Sequence, residues 1–314
     1  MMATSSPQSS IASQLADAFG PALRLNVPLA PYTTIRIGGP AEFFLEATDI
    51  EQIIIAREIC SRLGIRFTFL AGCSNVVIAD EGLPGLVVIN NTQQIEWRSN
   101  HTVLVDGGYD LDTFIAEASQ RGWGDLTFSA GIPGSLGGGI VGGAGAFGHL
   151  IYEYLIQAEM LRANGEIVSM TAEDLGITYR DSYARQRGDI LLRAEMGPFT
   201  ETEPQLLLQE IQRIKELRDS KHPGWDLPSA GSFFKNLPPQ EPGGRRIPAG
   251  KYLDEVGAKG LQVGGAQVFE KHANIIVNRG GATAADVDAL ANRMAAMVKA
   301  KFDIDLTREV LYLS

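Results

Sequence analysis

The sequence predicts an α+β protein built from three lobes, on three observations. Strand-like and helix-like stretches follow one another in small groups, the first of them ordered β-α-β-loop-β. Two glycine-rich loops, Gly72-Cys73-Ser74-Asn75 and Gly131 through Gly139, punctuate the N-terminal half. The length, 314 residues, exceeds what one simple core accommodates.

Composition bounds the function. Apolar residues make up 45% and charged residues 20%, the balance of an ordinary globular chain. A net charge of −10 argues against non-specific nucleic-acid binding, which needs a basic face. It leaves room for an anionic small ligand held by local cations and backbone N–H groups. Two cysteines, Cys60 and Cys73, build neither a disulfide framework nor a zinc site, and the four histidines are dispersed, so no metal is expected. A reducing cytoplasm fits this usage. No apolar run has membrane-spanning length. Residues 1–20 lack the basic start and apolar run of a signal peptide and read as a leader, partly disordered or a loosely docked helix.

The elements follow in order. PYTTIRIGGPAEFFLEA alternates polar and apolar residues and breaks at Gly38-Gly39-Pro40, as a hairpin or a sharply turned strand does. The next stretch is a helix capped by Asp49 and stopped by Gly64, with Ile50, Ile53, Ile54 and Leu63 on its apolar face. IRFTFLAG, VVIAD and LPGLVVIN are strands. Together they make a first lobe over residues 21–88, which the C-terminal strand, 304–314, is expected to join. A second lobe, 89–219, carries the strand HTVLVDGG and a helix with Leu111, Phe114, Ile115 and Ala118 inward. It also carries a hairpin turning at Asn164-Gly165 and the strand DILLRAEM. The helix EPQLLLQEIQRIKELRDS leads to a third lobe, 220–303, with a long helix capped by Thr283.

A loop of small residues lets backbone N–H groups approach phosphate oxygens closely. Ser74, Asn75 and Ser135 add side-chain donors. The competing reading is that these glycines only make turns. Gly137, Gly139 and Gly142 match the dinucleotide fingerprint G-x-G-x-x-G, but Pro133 and Gly134 interrupt the strand that the fingerprint requires before it. Three further motifs are polar where a core would not be: SAGSFFKN with Ser232, YRDS with Arg180, and LTREV with Glu309. Each taken alone has an ordinary structural reading. No G-x-S-x-G elbow accompanies Ser232, so it is not an activated nucleophile of the hydrolase kind.

These motifs, with TTIRIGGPAEFF, GCSNVVIADEGLPG, SAGIPGSLGG, GAGAFG, AGKYLDEVGAKG and GGAQVFEKHANIIVN, occur in one order. In that order the chain resembles the UDP-N-acetylenolpyruvoylglucosamine reductase family from about Tyr32 to its C-terminus. The resemblance implies a two-lobed FAD-binding domain of the vanillyl-alcohol-oxidase type plus a C-terminal α+β substrate-binding domain. It implies non-covalent FAD at Arg36, Gly72, Cys73, Ser74, Asn75, Gly131, Ile132, Gly134 and Ser135. It implies Ser232 as proton donor, Arg180 and Glu309 as the pair stabilising the substrate carboxylate, and Lys221 and Asn236 as substrate contacts. The 41 residues from Arg180 to Lys221 are too few for the tyrosine loop of one family subtype, so the subtype without it is expected.

The implied reaction is NADPH-driven reduction of UDP-N-acetylenolpyruvoylglucosamine to UDP-N-acetylmuramate. Hydride passes from flavin N5 to the vinyl carbon, and Ser232 protonates the neighbouring carbon. Glu309 serves as a hydrogen-bonding acid whose pKa the closed site raises. The place of this reaction is peptidoglycan precursor synthesis, hence cell-wall biogenesis, cell shape and division, in the cytoplasm, with a monomer expected. Four residues, at three places, depart from the family pattern: Cys73 replaces a usual glycine, Gly142-Gly143 a usual Met-Asn, and Phe269 a usual serine. Two rival readings are another FAD oxidase or dehydrogenase of the same cofactor fold and a non-catalytic nucleotide-sugar-binding protein.

Overall fold

A computed structural model describes residues 7–314. The chain is α+β and divides into two compact units, each assembled from separated stretches. Unit 1 takes residues up to Val27, Ala41–Gly72 and Pro84–Lys215; unit 2 takes Pro28–Pro40, Cys73–Leu83 and Glu216–Ser314. This differs from the sequence-based division into 21–88, 89–219 and 220–303. One core cluster joins the first two expected lobes, with Leu45, Ile53, Ala56, Leu86 and Val88 packed with Leu161, Ile190 and Leu192, while a second cluster is drawn from residues 103–214 alone. Residues 28–40 and 73–83 instead join the C-terminal stretch, where Ile35, Ile37 and Val77 enter the core.

Unit 1 holds two sheets. The first is ordered Leu23–Pro28, Pro40–Ala47, Leu83–Asn90, Phe67–Leu70, with Phe67–Leu70 parallel to Leu86–Ile89. The helix Ile50–Leu63 starts where expected, because extended Asp49 accepts the N–H of Gln52 at 2.9 Å. It ends at Gly64, whose φ of 65° only glycine adopts without strain. Its buried face is Ile53, Ala56, Ile59 and Cys60, a rotation from the predicted face: Ile50, Ile54 and Leu63 lie half-buried at its margins. Burial pushes the Cys60 thiol up to about 12 against the pull of Arg57, which makes it inert at neutral pH.

The second sheet is antiparallel, ordered Ile167–Met170, Leu155–Leu161, Ile190–Met196, Val103–Asp106, Ile95–Trp97. Asn164-Gly165 makes the expected reversal, with Gly165 at φ 88°. The helix Leu111–Gln120, capped by Asp110, buries Leu111, Phe114, Ile115 and Ala118, the predicted face. The N-terminal helix Pro7–Phe19 packs Leu15 and Phe19 into the first core, so of the two forms expected for the leader residues 7–19 take that of a docked helix. The first six residues of the expected leader lie outside the described residues.

Unit 2 holds an antiparallel sheet ordered Ser229–Ser232, Ile275–Asn278, Ala266–Val268, Gln262–Val263. The long helix Ala284–Phe302 buries Val287, Leu290, Ala291, Met294 and Val298, recurring at three and four residues. Leu311–Leu313 pairs in parallel with Val76–Ile78, so the C-terminal strand and the strand after the first glycine loop are one ladder of unit 2. No helix among the described residues is long and apolar enough to cross a membrane. No cluster of metal-ligating side chains occurs among them either.

The long helix has a double N-terminal lock. Thr283 and Asp286 form a reciprocal capping box. Asp80 adds both carboxylate oxygens, accepting the N–H groups of Ala284 at 2.8 Å and Ala285 at 3.2 Å. A carboxylate at the positive end of the helix dipole is favourable as well as bonded. Asp80→Ala is expected to destabilise unit 2 by about 1–2 kcal/mol, the cost typical of losing such a cap. A urea midpoint unchanged in the variant would rule this out.

Candidate active site

In unit 1 the two glycine segments meet. A Cβ built on Gly72 would stand 2.6 Å from the Cα of Gly134 and 3.1 Å from the N of Ser135, so the backbones are in contact only because no side chain intervenes. Gly131 and Gly134 take φ values of 73° and 124°. The amides divide into two kinds. Gly131 N donates to Asp112 Oδ1 at 2.8 Å and Ile132 N to Ser129 O at 3.0 Å. This corrects the expectation that these two residues offer their N–H groups to a ligand; they shape the loop instead. For the amides of Gly134 and Ser135 no acceptor lies among the described residues.

Beyond them the chain turns into a short helix, Leu136–Val141, whose first turn is capped by Ser135 Oγ accepting Gly138 N at 3.1 Å. Gly137 and Gly139 are therefore helical, and the G-x-G-x-x-G match is a coincidence of composition. Gly137 and Gly139 lie under neighbours, since a Cβ on either would come within 2.8 Å of Gly107 O or 3.1 Å of Ile151 Cδ1. A backbone crossing that a Cβ would fill, with two successive unbonded amides, suits a phosphate or pyrophosphate.

The same segment ends against Arg180. Gly143, at φ 59°, comes so close to the YRDS turn that a Cβ there would sit 2.6 Å from Thr178 O. Arg180 Nη1 donates to Gly143 O at 3.1 Å, and Arg185 Nη1 returns a bond to Arg180 O at 3.3 Å. Arg180 itself has φ 57°. A left-handed arginine costs on the order of 1–3 kcal/mol and persists where its surroundings over-determine it. Arg36 and Cys73, at φ 55° and 46°, share this strained region. Glycine adopts this conformation without strain, so Cys73 is the costlier residue at its position. Cys73 is buried and forms no disulfide.

Unit 2 gathers the rest. Thr34 is the hub that sequence reasoning missed: its N–H donates to Cys73 O at 3.3 Å and its hydroxyl to Ser229 O at 2.7 Å. Ser74 O lies 3.7 Å from where a Cβ on Gly231 would be. The Glu309 segment is knitted to both neighbours. Glu309 N donates to Phe233 O at 2.9 Å, Asn75 Nδ2 to Glu309 O at 3.2 Å, and Leu311 N to Asn75 O at 3.0 Å. Within unit 2, Cys73-Ser74-Asn75 and the Ser232 and Glu309 segments are thus linked by backbone bonds and by the Asn75 side chain, whose bond to Glu309 O spans 234 positions of sequence.

Of the two expected substrate contacts, Lys221 is exposed in the loop before Ser229–Ser232. Asn236 has a structural duty, its Oδ1 accepting Ala249 N at 3.2 Å at the start of the helix Ala249–Glu255. Arg36 is exposed. A second residue missed from sequence is Asn274. Its Oδ1 accepts Phe234 N and its Nδ2 donates to Phe234 O, each at 2.9 Å, while its carbonyl accepts Phe233 N at 2.8 Å. This clamp holds the residues that follow Ser232. Its signal in the sequence was only an asparagine just before an apolar strand.

Two family models match the chain. A family model described as an FAD binding domain matches residues 41–171. Another, described as the UDP-N-acetylenolpyruvoylglucosamine reductase C-terminal domain, matches residues 222–313. The UDP-N-acetylenolpyruvoylglucosamine reductase of Bacillus licheniformis is 36% identical over 91% of this chain and 92% of its own. That of Gloeobacter violaceus is 36% identical over 93% of this chain and 96% of its own. Among solved structures, UDP-N-acetylenolpyruvylglucosamine reductase from Thermus caldophilus superposes with a TM-score of 0.76 at 28% identity, covering 93% of this chain and 98% of that one.

Proposed function

The chain belongs to the UDP-N-acetylenolpyruvoylglucosamine reductase family, and from that premise we propose that it reduces UDP-N-acetylenolpyruvoylglucosamine to UDP-N-acetylmuramate, with FAD as cofactor and NADPH as electron donor. The observation that carries the reading is the backbone joint between the Ser232 and Glu309 segments, where Glu309 N donates to Phe233 O and a hydroxyl-bearing and a carboxyl-bearing residue lie on adjoining segments. The FAD binding domain match over residues 41–171 and the Gly72–Gly134 crossing support the cofactor. Gly134 and Ser135 would hold its pyrophosphate through their amides, with Ser74 and Asn75 beside Gly72 in sequence and Arg36 adding a cation. Bound FAD supplies a two-electron carrier that accepts hydride from NADPH and delivers it to the vinyl carbon of the substrate.

The chain's own residues do the rest. Arg180 pairs its planar guanidinium with the substrate carboxylate, into which negative charge spreads as the double bond takes up hydride. Its anchor on Gly143 O fixes the direction of that fork. Ser232 gives the proton that completes the adjacent carbon, turning enol ether into lactyl ether. Glu309 assists as a hydrogen-bonding acid, since a bare carboxylate would repel the developing charge. Lys221 and Asn236 are the candidates for contacts with the substrate's phosphates or sugar.

Two results are expected. Flavin-loaded protein consumes NADPH only when UDP-N-acetylenolpyruvoylglucosamine is added; rapid NADPH consumption driven by oxygen alone would favour the oxidase reading instead. Arg180→Lys keeps the charge but loses the fork, and kcat/KM falls about ten- to hundred-fold, the worth of one charge-assisted hydrogen bond. A lysine variant with wild-type kcat/KM would show that the guanidinium plane has no part.

A further inference from the structure

Two histidines of unit 2, absent from every role above, lie against each other. The rings of His222 and His272 have centroids 5.3 Å apart at 35°. Both are half-buried. The His272 ring also lies over Gly250, where an added Cβ would stand 3.8 Å from Cε1. Its Nδ1 accepts the backbone N–H of Asn274 at 3.3 Å. An imidazole nitrogen that accepts carries no proton, so this bond requires neutral His272 with its hydrogen on Nε2. Asn274 is the residue that clamps Phe233 and Phe234 by three hydrogen bonds. A continuous chain of contacts therefore runs from His222 through His272 and Asn274 to the backbone immediately after Ser232.

We propose that His272, covered by His222, is a positioning residue for Ser232. The proposal rests on the reading of Ser232 as proton donor given above. His272 acts through Asn274: it seats the Asn274 amide, and Asn274 sets the strand that presents the serine hydroxyl. His222 shields the ring and ties the Lys221 loop to the same point.

The surroundings keep both rings neutral. His222 is held down to about 4 by burial, then by His272, Arg218 and Lys221, with Asp219 opposing. His272 is held below the ordinary histidine range by burial, opposed by its own backbone bond, and lowered further by Lys259 and Lys221. The charged groups facing the pair are thus Arg218, Asp219 and Lys221 on the His222 segment and Lys259 beyond the Ala249–Glu255 helix. Both folded values lie below the unfolded one. The arrangement is complete at neutral pH and is lost as pH falls through the folded values. Protonated His272 turns Nδ1 into a donor facing the Asn274 N–H, and the seat opens.

The test uses the flavin-loaded protein and follows its two half-reactions by stopped-flow absorbance across pH. His272→Ala is expected to slow reoxidation by the enolpyruvyl substrate about ten- to hundred-fold, the scale of a small misplacement of a reacting group. Reduction by NADPH keeps its wild-type rate. His272→Asn, whose Oδ1 accepts as Nδ1 does, restores most of the rate and removes the acid limb of reoxidation, because nothing at that position titrates. In a second readout independent of turnover, the Asn274 amide resonance follows the titration of the His272 ring. Three outcomes overturn the proposal: normal reoxidation in His272→Ala, an unaltered acid limb in His272→Asn, or an Asn274 amide indifferent to the ring. A wild-type protein that the enolpyruvyl substrate fails to reoxidise would refute the functional reading, and the amide titration alone would then decide the His272–Asn274 link.

Discussion

Ser232→Ala is expected to slow reoxidation of the reduced protein by the enolpyruvyl substrate about 10²–10⁴-fold, the range typical of positioned proton transfer, while reduction by NADPH proceeds at the wild-type rate. The separation follows from where the residue sits. Ser232 ends the Ser229–Ser232 strand opposite Ile275, and the main chain that follows is held by Asn274 and Glu309. None of those bonds uses the serine side chain, so alanine keeps the backbone and removes only the hydroxyl. The substrate carbon then has no fixed acid, and water becomes the proton source. Single-turnover traces of the two half-reactions check this. Equal slowing of both half-reactions would point to a general disturbance of the site, and unaltered reoxidation would remove Ser232 from the chemistry.

Gly72→Ala is expected to cost the protein its cofactor. The φ of Gly72 is not left-handed, so alanine suits the backbone there and only the contact decides. That contact is severe: the new methyl carbon would lie 2.6 Å from Gly134 Cα and 3.0 Å from Gly134 C, main-chain atoms that cannot rotate away. The segment carrying the Gly134 and Ser135 amides must shift, and a shift of that size misdirects both donors. Overpacking of this kind costs typically 1–3 kcal/mol, and two misaligned charge-assisted bonds of about 1.5–3 kcal/mol each lower FAD affinity at least ~100-fold. Flavin fluorescence titration measures the affinity, and a urea midpoint separates a lost site from a lost fold. FAD bound with wild-type affinity would mean that the Gly72–Gly134 crossing is not the pyrophosphate seat.

Much of the local structure was legible in the sequence. Asp49 and Thr283 cap helices, Gly64 ends one and Asn164-Gly165 turns a hairpin, because each effect acts within four residues. The G-x-G-x-x-G match lacks the strand the fingerprint needs before it, since Thr127–Ser129 is a single 3-10 turn followed by loop. Other readings failed for want of partners. The face of the Ile50–Leu63 helix is set by Leu86, Leu161 and Leu192, remote from it in sequence. Gly131 and Ile132 look like amide donors until Asp112 and Ser129 are seen to accept their hydrogens.

By itself the sequence determined the α+β class, the capped helices, the two small-residue loops and, through ordered motifs, the family and its FAD binding domain. Only the tertiary structure decided that residues 28–40 and 73–83 join the C-terminal stretch. Only there do Thr34, Asn274 and Asp80 acquire their roles, and only there do the amides of Gly134 and Ser135 separate from those of Gly131 and Ile132. The physical reason is one of range. Capping, turn formation and amphipathic period are settled by neighbours along the chain. Whether a polar group is spent on the fold or kept for a ligand depends on what packing places opposite it.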